Sequence, residues 1–478
     1  MNVSATNRPY GTVPWRRETV ALTRLSVPIV LTNLGQIAIQ TTDVVMIGWL
    51  GPAPLAASVL GVTLYFILFM FSVGIMMATA PMIAQDLGRV SYAMREPRRT
   101  VRQGFWAAAL LGLPASLVFW QIDPILRLLG QDPALIVGAE EYMHAAMWGF
   151  VPALLFIGLR NFISALERPR AGMVVMTIGI AVNAAADYGL IFGKFGLPEL
   201  GLRGAGIATS LTNGFLFFAL LGFILIDRRF RRYRLLGRLW RPDWRRLREI
   251  VRIGLPIGVT LVFEVGLFAG AAFLMGLIGT AELAAHQIAL QCAAVSFMVP
   301  LGLAQAATVR VGLAVGRRDP AGIRAAGFAA LGLGTVFMSG AALVMWTLPE
   351  QLAGLFLDGN DPANVEVIAL AVTFLAVAGA FQVVDGAQAI GAGALRGLKD
   401  TRWPMVFAGL GYWVFGFGGA VLLGFYYEME GIGIWIGLAG GLAVAAVLMV
   451  ARFTVLQRST GWRRPEVGGT AAAPEAGI

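Results

Sequence analysis

Four carboxylates lie in stretches of sequence that are otherwise apolar: Asp43 in TTDVVMIG, Asp187 one turn after Asn183, Glu264 in VFEVGLFA and Asp385 in FQVVDGAQ. A charged side chain at the centre of a bilayer costs about 2.5–3.5 kcal/mol on insertion scales. The basic residues read as loop residues, which leaves the four acids with no cationic partner inside the chain. Such groups need protons, metal cations or a cationic ligand. Asn183 and Asp187 are four residues apart and share one helix face, and Thr209 in IATSLTN supplies a hydroxyl from the next apolar stretch. With Asp43 these residues form an all-oxygen set suited to a proton relay or to a small hard cation such as Na⁺. The blander reading is that Asn183 and Thr209 only hydrogen-bond between helices. Gln40, Gln382 and Gln388 add neutral polar groups, with Gln40 and Gln382 open to substrate contact. His286 in AAHQIAL reads as a hydrogen-bonded structural residue, with a proton relay as the alternative. Two histidines and the single cysteine, Cys292, give no metal-ligand spacing and no internal disulfide. There is no phosphate-binding loop either. The reading is therefore neither an enzyme nor a cofactor protein, and any transport would draw on an ion gradient.

The elements that hold these residues follow from composition. The 478 residues are 58% hydrophobic and 13% charged, against about 25% charged in an ordinary soluble chain. That excludes a water-facing globule and a disordered chain. Apolar stretches run at about 23–49, 58–85, 103–122, 142–164, 173–193, 205–226, 252–277, 283–309, 325–347, 364–394, 404–425 and 431–451. Most have about the 20 residues a spanning helix needs. The expected fold is an all-α integral membrane protein with twelve transmembrane helices. Twelve spans put both termini and the even-numbered loops on one side. All of the 37 basic residues except Arg127, Lys194 and Arg203 then fall on that side. The positive-inside rule makes it cytoplasmic. The net charge of +10 is thus topology rather than nucleic-acid affinity, and the arginine-rich middle loop can touch anionic lipid. The polar start of the chain lacks a cleavable signal pattern, so the first helix is expected to act as an uncleaved insertion signal.

The chain also repeats itself. VPIVLTNLGQIAIQTTDVVMIGWLGPAPLAA from Val27 aligns without a gap on LPIGVTLVFEVGLFAGAAFLMGLIGTAELAA from Leu255, an offset of 228. Gly74 meets Gly302 at the same offset, and a weaker match joins ALERPRAGMVV at 165 to GLKDTRWPMVF at 397. The expected domains are an N-lobe at 15–226, a basic linker at 227–251, a C-lobe at 252–455 and a disordered tail at 456–478. Six spans per half make the two lobes parallel, related by an axis along the membrane normal. This plan places a substrate site between lobes, and the carboxylates are expected to face that shared wet cavity. The acids break the symmetry: Gln36 aligns with Glu264 and Ala271 with Asp43. The 29 Phe and 18 Met could line a pocket for flat lipophilic cations.

From about residue 15 to 455 the chain resembles the multidrug and toxic compound extrusion (MATE) family, especially its NorM-type bacterial members. The resemblance rests on TTDVVMIG, GKFGLPELGLRGAGIATS, VFEVGLFA, AAHQIAL and GALRGLKD. It implies two six-helix lobes and a Na⁺- or H⁺-coupled antiporter exporting cationic lipophilic drugs from a bacterial inner membrane. It implies that Asp43, Asn183, Asp187 and Thr209 form an N-lobe cation or proton site, and that Glu264 and Asp385 serve the C-lobe. A tyrosine found in related members one turn before that aspartate is Phe381 here, which removes a possible oxygen ligand. The expected partners are small organic cations and membrane lipid, without nucleic acid, and the expected unit is a monomer. A flippase of lipid-linked precursors would instead want cationic residues around the cavity, where this sequence reads as acidic. A narrow metabolite exporter would look the same as a multidrug exporter.

Overall fold

The structure, a computed structural model, describes residues 15–90, 94–237, 239–358 and 361–459. The polar start at 1–14 and residues 460–478 of the expected tail lie outside the described residues. Twelve helices are long and apolar enough to cross a membrane, and no strand occurs among the described residues. They are α1 (Trp15–Gly48), α2 (Pro52–Arg89), α3 (Arg95–Trp120), α4 (Pro133–Ala165), α5 (Arg170–Phe192) and α6 (Gly201–Ile226) in one lobe. The other lobe holds α7 (Trp244–Ile278), α8 (Thr280–Gly316), α9 (Pro320–Thr347), α10 (Pro362–Gly397), α11 (Arg402–Tyr426) and α12 (Glu430–Arg458).

Several helices outrun their apolar stretches at the arginine-rich end, here termed the basic face. Hydropathy marks only the oil-facing length, whereas arginine is a good helix former and continues the backbone ladder. α7 accordingly begins at Trp244, inside the segment read as a linker. Asp243 caps it by accepting the Arg246 N–H at 3.2 Å, and Asp319 caps α9 by accepting the Gly322 N–H at 2.9 Å. These carboxylates take up N–H groups that have no partner within the helix.

The repeat is visible atom by atom. Pro28 in α1 and Pro256 in α7 each sit inside a helix, and the hydroxyls of Thr32 and Thr260 donate to the two proline carbonyls, both at 2.8 Å. The second proline–threonine pair stands at the repeat offset from the first. Glu167 and Lys399, matched by the weaker repeat, both turn the chain in the left-handed region, at φ 57° and 60°.

The lobes meet through α1 against α8 and α2 against α7, pairings that the repeat exchanges. Small residues permit the approach. A side chain on Gly74 would overlap the Gly258 backbone, and one on Gly302 would overlap Val30. Those two contacts are repeat mates in turn, since Gly74 corresponds to Gly302 and Val30 to Gly258. At the basic face α2 crosses α8 at Gly88 and Gly316. A Cβ on Gly88 would stand 2.8 Å from Gly316 Cα, and one on Gly316 2.7 Å from Gly88 Cα. Gly88 and Gly316 are themselves repeat mates, so the contact is isologous and the pseudo-twofold axis passes between them.

α11 departs from α-helical geometry. Gly409–Phe417 and Leu422–Tyr426 are π-helical, a wider coil, and glycines of α12 accommodate it, Gly441 against Gly416 and Gly437 against Ala420. Such stretches are rare and frequently mark functional sites.

Candidate functional site

Three groups of polar residues are held inside this frame. The first lies within the N-lobe. α1 brings Asp43 against α5, where Asn183 Nδ2 donates to Asp43 Oδ1 at 2.8 Å. From α6, the Thr209 hydroxyl donates to Asp43 Oδ2 at 3.4 Å and to its own helix at Ala205 O at 3.0 Å. Asp187, on the same face of α5 and fully buried, sits beside Asp43. The four residues singled out by spacing thus form one cluster. Its remaining acceptors are unusual. Asn183 Oδ1 and both carboxylate oxygens of Asp187 are buried with no donor directed at them. An unsatisfied buried polar group costs about 1–3 kcal/mol, so these donorless oxygens beside the Asp43 carboxylate favour positive charge in the cluster. Tyr142 of α4, 5% exposed, stands beside Thr209 and Asp43 and completes the wall. Its place depends on α4 packing on α6, and no local spacing announces it.

The second group lines a central cavity of about 520 Å³ between the lobes. Gln36 and Gln40 of α1, Glu264 of α7, and Asp385 and Gln388 of α10 face it, with Phe66, Phe69, Phe297, Met70 and Met298 among its apolar walls. Asp43, Asn183, Asp187 and Thr209 do not line it. The expectation of one cavity shared by all four acids is therefore corrected: the N-lobe cluster sits off the cavity, inside its own lobe.

A second correction concerns charge. Arg160 of α4 and Arg396 of α10 line the same cavity. Arg160 Nη1 donates to Asn33 Oδ1 at 3.3 Å, while Arg396 lies near Glu264 and reaches across the lobe boundary to Met77 Sδ at 3.5 Å. The Nε atoms of both arginines are buried without an acceptor. Glu264 consequently has a basic neighbour, because α10 continues beyond its apolar stretch and turns Arg396 inward, while Arg160 faces the cavity from within the stretch at 142–164.

The third group is buried in the C-lobe. Gln388 Nε2 donates to the Tyr412 hydroxyl at 2.5 Å, which ties α10 to the π-helical part of α11. Gln382 does not face the cavity; its Nε2 donates to Ser296 Oγ at 2.8 Å. His286 is fully buried with its ring 5.4 Å from that of Trp435, and neither ring nitrogen has a partner. Phe381 packs edge-on against Trp435 at 5.8 Å. Among the described residues no cluster of three or more His, Cys, Asp or Glu side chains is placed to hold a metal ion.

Two segments of the chain, 28–188 and 256–422, match the MatE family model. Their starts differ by the offset of the internal repeat. The chain belongs to the MatE family. It is 49% identical over 439 residues to a probable multidrug resistance protein NorM from Mesorhizobium japonicum, with 92% of this chain and 94% of that protein covered. A protein of the same name from Brucella suis is 47% identical over 461 residues, covering 96% of each chain. A solved structure described as the outward-facing conformation of a multidrug resistance MATE family transporter has the same fold, with a TM-score of 0.83 at 20% identity over 93% of this chain and 96% of that one. In this MatE protein the central cavity thus occupies the junction of the two matched segments, and its polar residues come from both.

Proposed function

We propose that this MatE protein is an ion-coupled multidrug exporter that passes lipophilic organic cations through the central cavity by alternating access, with H⁺ or Na⁺ moving in the opposite sense at Asp43, Asn183, Asp187 and Thr209. The observation that carries the reading is the set of three donorless acceptor oxygens on Asn183 and Asp187 beside the Asp43 carboxylate. A small cation meets such oxygens directly, a proton neutralises the Asp187 carboxylate, and no described residue donates to these atoms. The relatives' names, multidrug resistance protein NorM, support the drug as cargo. Aromatic and methionine walls around Glu264 and Asp385 suit flat cations through stacking, cation–π contact and adaptable sulfur packing.

In this reading the basic face is cytoplasmic, both termini lie there, and the membrane is a bacterial inner membrane. Expelling a monovalent cation against an inside-negative potential costs about 2.3 kcal/mol per 100 mV, which one entering H⁺ or Na⁺ recovers. Exchange further requires that ion and drug favour different conformations, since equal affinity for both shifts nothing.

The test is transport of a fluorescent organic cation in proteoliposomes, with Na⁺ and pH gradients imposed separately. One gradient should drive the dye, and Asp43→Asn, reconstituted to the same density, should abolish driven transport. Undiminished transport by Asp43→Asn sinks the coupling role. Arg160 and Arg396 in the cavity favour a second reading, a flippase for anionic lipid-linked precursors. Scrambling of a pyrophosphate lipid with no gradient-driven movement of the dye would select it.

A further inference from the structure

A second hollow, of about 560 Å³, lies on the basic face between the first turns of α3 and the segment that joins the lobes. Six arginines line it: Arg95, Arg98, Arg99, Arg102, Arg234 and Arg241. Asp243 is the acid in that lining, and Arg99 already engages it together with Glu96 at 2.8 Å. The remaining arginines give the hollow a large positive excess. Positive-inside topology accounts for arginines on this face, but it asks only that they be in the loops; it does not ask them to converge on one concavity.

Two further observations point to a ligand. Arg98 Nε is buried with no acceptor, while the partnerless Oε1 of buried Gln103 in the same lining is itself an acceptor and contributes nothing toward an anion. The first turn of α3 bears Arg95, Arg98 and Arg99 and has no side-chain cap; Pro97 has no N–H and the Arg98 N–H bonds Met94 O at 3.4 Å, so the turn contributes chiefly through its arginine side chains. Beside the hollow, Trp240 and Trp244 are 73% and 62% exposed, and Trp106 Nε1 donates to Leu239 O at 2.8 Å. Exposed tryptophans at the end of a span settle at the level of lipid headgroups. Arginine forks match the tetrahedral oxygens of a phosphate.

We propose that this hollow binds the phosphate group of an anionic phospholipid. Its arginines come both from α3 of the N-lobe and from the segment leading to the Asp243 cap of α7, so an occupied site braces the joint between lobes. The lipid rather than a soluble phosphate is the assigned source because the tryptophans hold the site at the membrane surface.

The experiment is native mass spectrometry of the full-length detergent-purified protein with cardiolipin, phosphatidylglycerol, phosphatidylcholine or inorganic phosphate. Cardiolipin and phosphatidylglycerol should be retained, with phosphatidylcholine and inorganic phosphate stripped. Arg234→Gln/Arg241→Gln, two exposed positions chosen to leave folding intact, should weaken retention of phosphatidylglycerol on the order of tenfold. Arg228→Gln/Arg231→Gln, which removes the same charge outside the hollow, should leave it within about twofold. Equal loss in both double variants would reduce the site to diffuse charge and overturn the proposal. Equal retention of phosphatidylcholine, or inorganic phosphate binding without lipid preference, would overturn it as well. A melting curve of each variant without lipid separates lost binding from lost fold.

Discussion

At the basic face the lobes are fastened by charge, and the strength of that fastening can be worked out. Arg310 of α8 holds Glu18 of α1 through two bonds, Nε to Oε1 at 2.7 Å and Nη2 to Oε2 at 2.6 Å, and also engages Glu167 in the α4–α5 turn. The side chains are 16% and 5% exposed, so neither charge is well hydrated. Arg246 of α7 makes the counterpart contact with Asp86 of α2. Glu18 and Arg246 are repeat mates with opposite charge, whereas their partners Arg310 and Asp86 align with Met82 and Ala314, so the two pairs join repeat-equivalent helices one turn out of register. A hydrogen bond to a charged group contributes about 1.5–3 kcal/mol net. Taking about 2 kcal/mol for the Arg310–Glu18 fork, and tenfold per 1.4 kcal/mol, its loss should enlarge the population with parted basic ends about 30-fold. Arg310→Gln alone should do more than Arg310→Gln/Glu18→Gln, because it leaves Glu18 buried and uncompensated. The readout is labelling of Gln305→Cys, a cavity-lining position, in a Cys292→Ala background. A membrane-impermeant thiol reagent applied from the basic side reaches it only when the lobes part there. The labelling rate should rise about 30-fold in the double variant and further in the single. Rates within twofold of the parent in both, with the protein folded, would show that the fork does not hold the lobes together.

Other substitutions follow from the same geometry. Gly88→Val places atoms against the backbone of α8 at the crossing with Gly316, where nothing can yield. At about 1–3 kcal/mol for overpacking, the same labelling should accelerate on the order of tenfold or more, while Gly340→Val, which meets nothing within 4 Å, should leave it unchanged. Arg396→Gln removes a positive charge beside Glu264; the Kd for a fluorescent cation should fall severalfold, and an unchanged Kd would mean that Arg396 is not felt in the cavity. Burial pushes the Asp243 carboxyl up, but bonds from the Arg99 side chain and the Arg246 backbone, with both arginine charges, outweigh this and hold it below the usual carboxylate range. A carboxylate held low contributes stability that is complete above its unfolded pKa, about 3.9 for Asp, and is lost as pH falls through the lower folded value. The melting-temperature gap between wild type and Asp243→Asn should therefore stay constant from pH 8 to about 5 and close only below about 4.

Much of this was readable in one dimension, for a physical reason. Spans announce themselves because oil excludes polar side chains over about 20 residues, and the two lobes because one offset recurs. Asn183 and Asp187 were legible because four residues bring a helix back to one face. Arg160 and Arg396 were not read as cavity residues, although a signal existed. Asp385, Gln388, Ala389, Ala392 and Arg396 recur at helical spacing along one face of α10, and Ala153, Phe156, Ile157 and Arg160 do so on α4; all line the cavity. Charge near the end of an apolar stretch looks like a loop until the face it shares is followed through the boundary. Tyr142 is a different case. It joins the Asp43 cluster only because α4 packs on α6, with the Ser210 hydroxyl of α6 donating to Ala145 O at 2.7 Å, and that contact has no local signature.

The symmetric scaffold and the asymmetric chemistry also constrain how the parts can communicate. Proline–threonine pairs and interlobe glycines obey the repeat, so the frame alone would move both halves alike. The Asp43 cluster has no counterpart, since Ala271 stands where Asp43 would be. Gln36 and Glu264, which are mates, both face the cavity, but only one is charged. Under the proposed ion coupling, a signal from the cluster starts in one lobe and crosses to a cavity that the cluster does not touch. α1 is the helix able to carry it: it holds Glu18 of the fastener, Asn33, Gln36 and Gln40 of the cavity wall, and Asp43 of the cluster. At about 1.5 Å per residue, Glu18 and Asp43 stand roughly 37 Å apart along it. Occupancy at Asp43 that shifts or tilts α1 by a fraction of a turn displaces the cavity wall and loads the Arg310 fork in the same motion. The C-lobe mate of α1, α7, carries Arg246 of the other fastener and Glu264 of the wall but has Ala271 in place of Asp43, so in the proposed coupling it receives this movement and does not originate it.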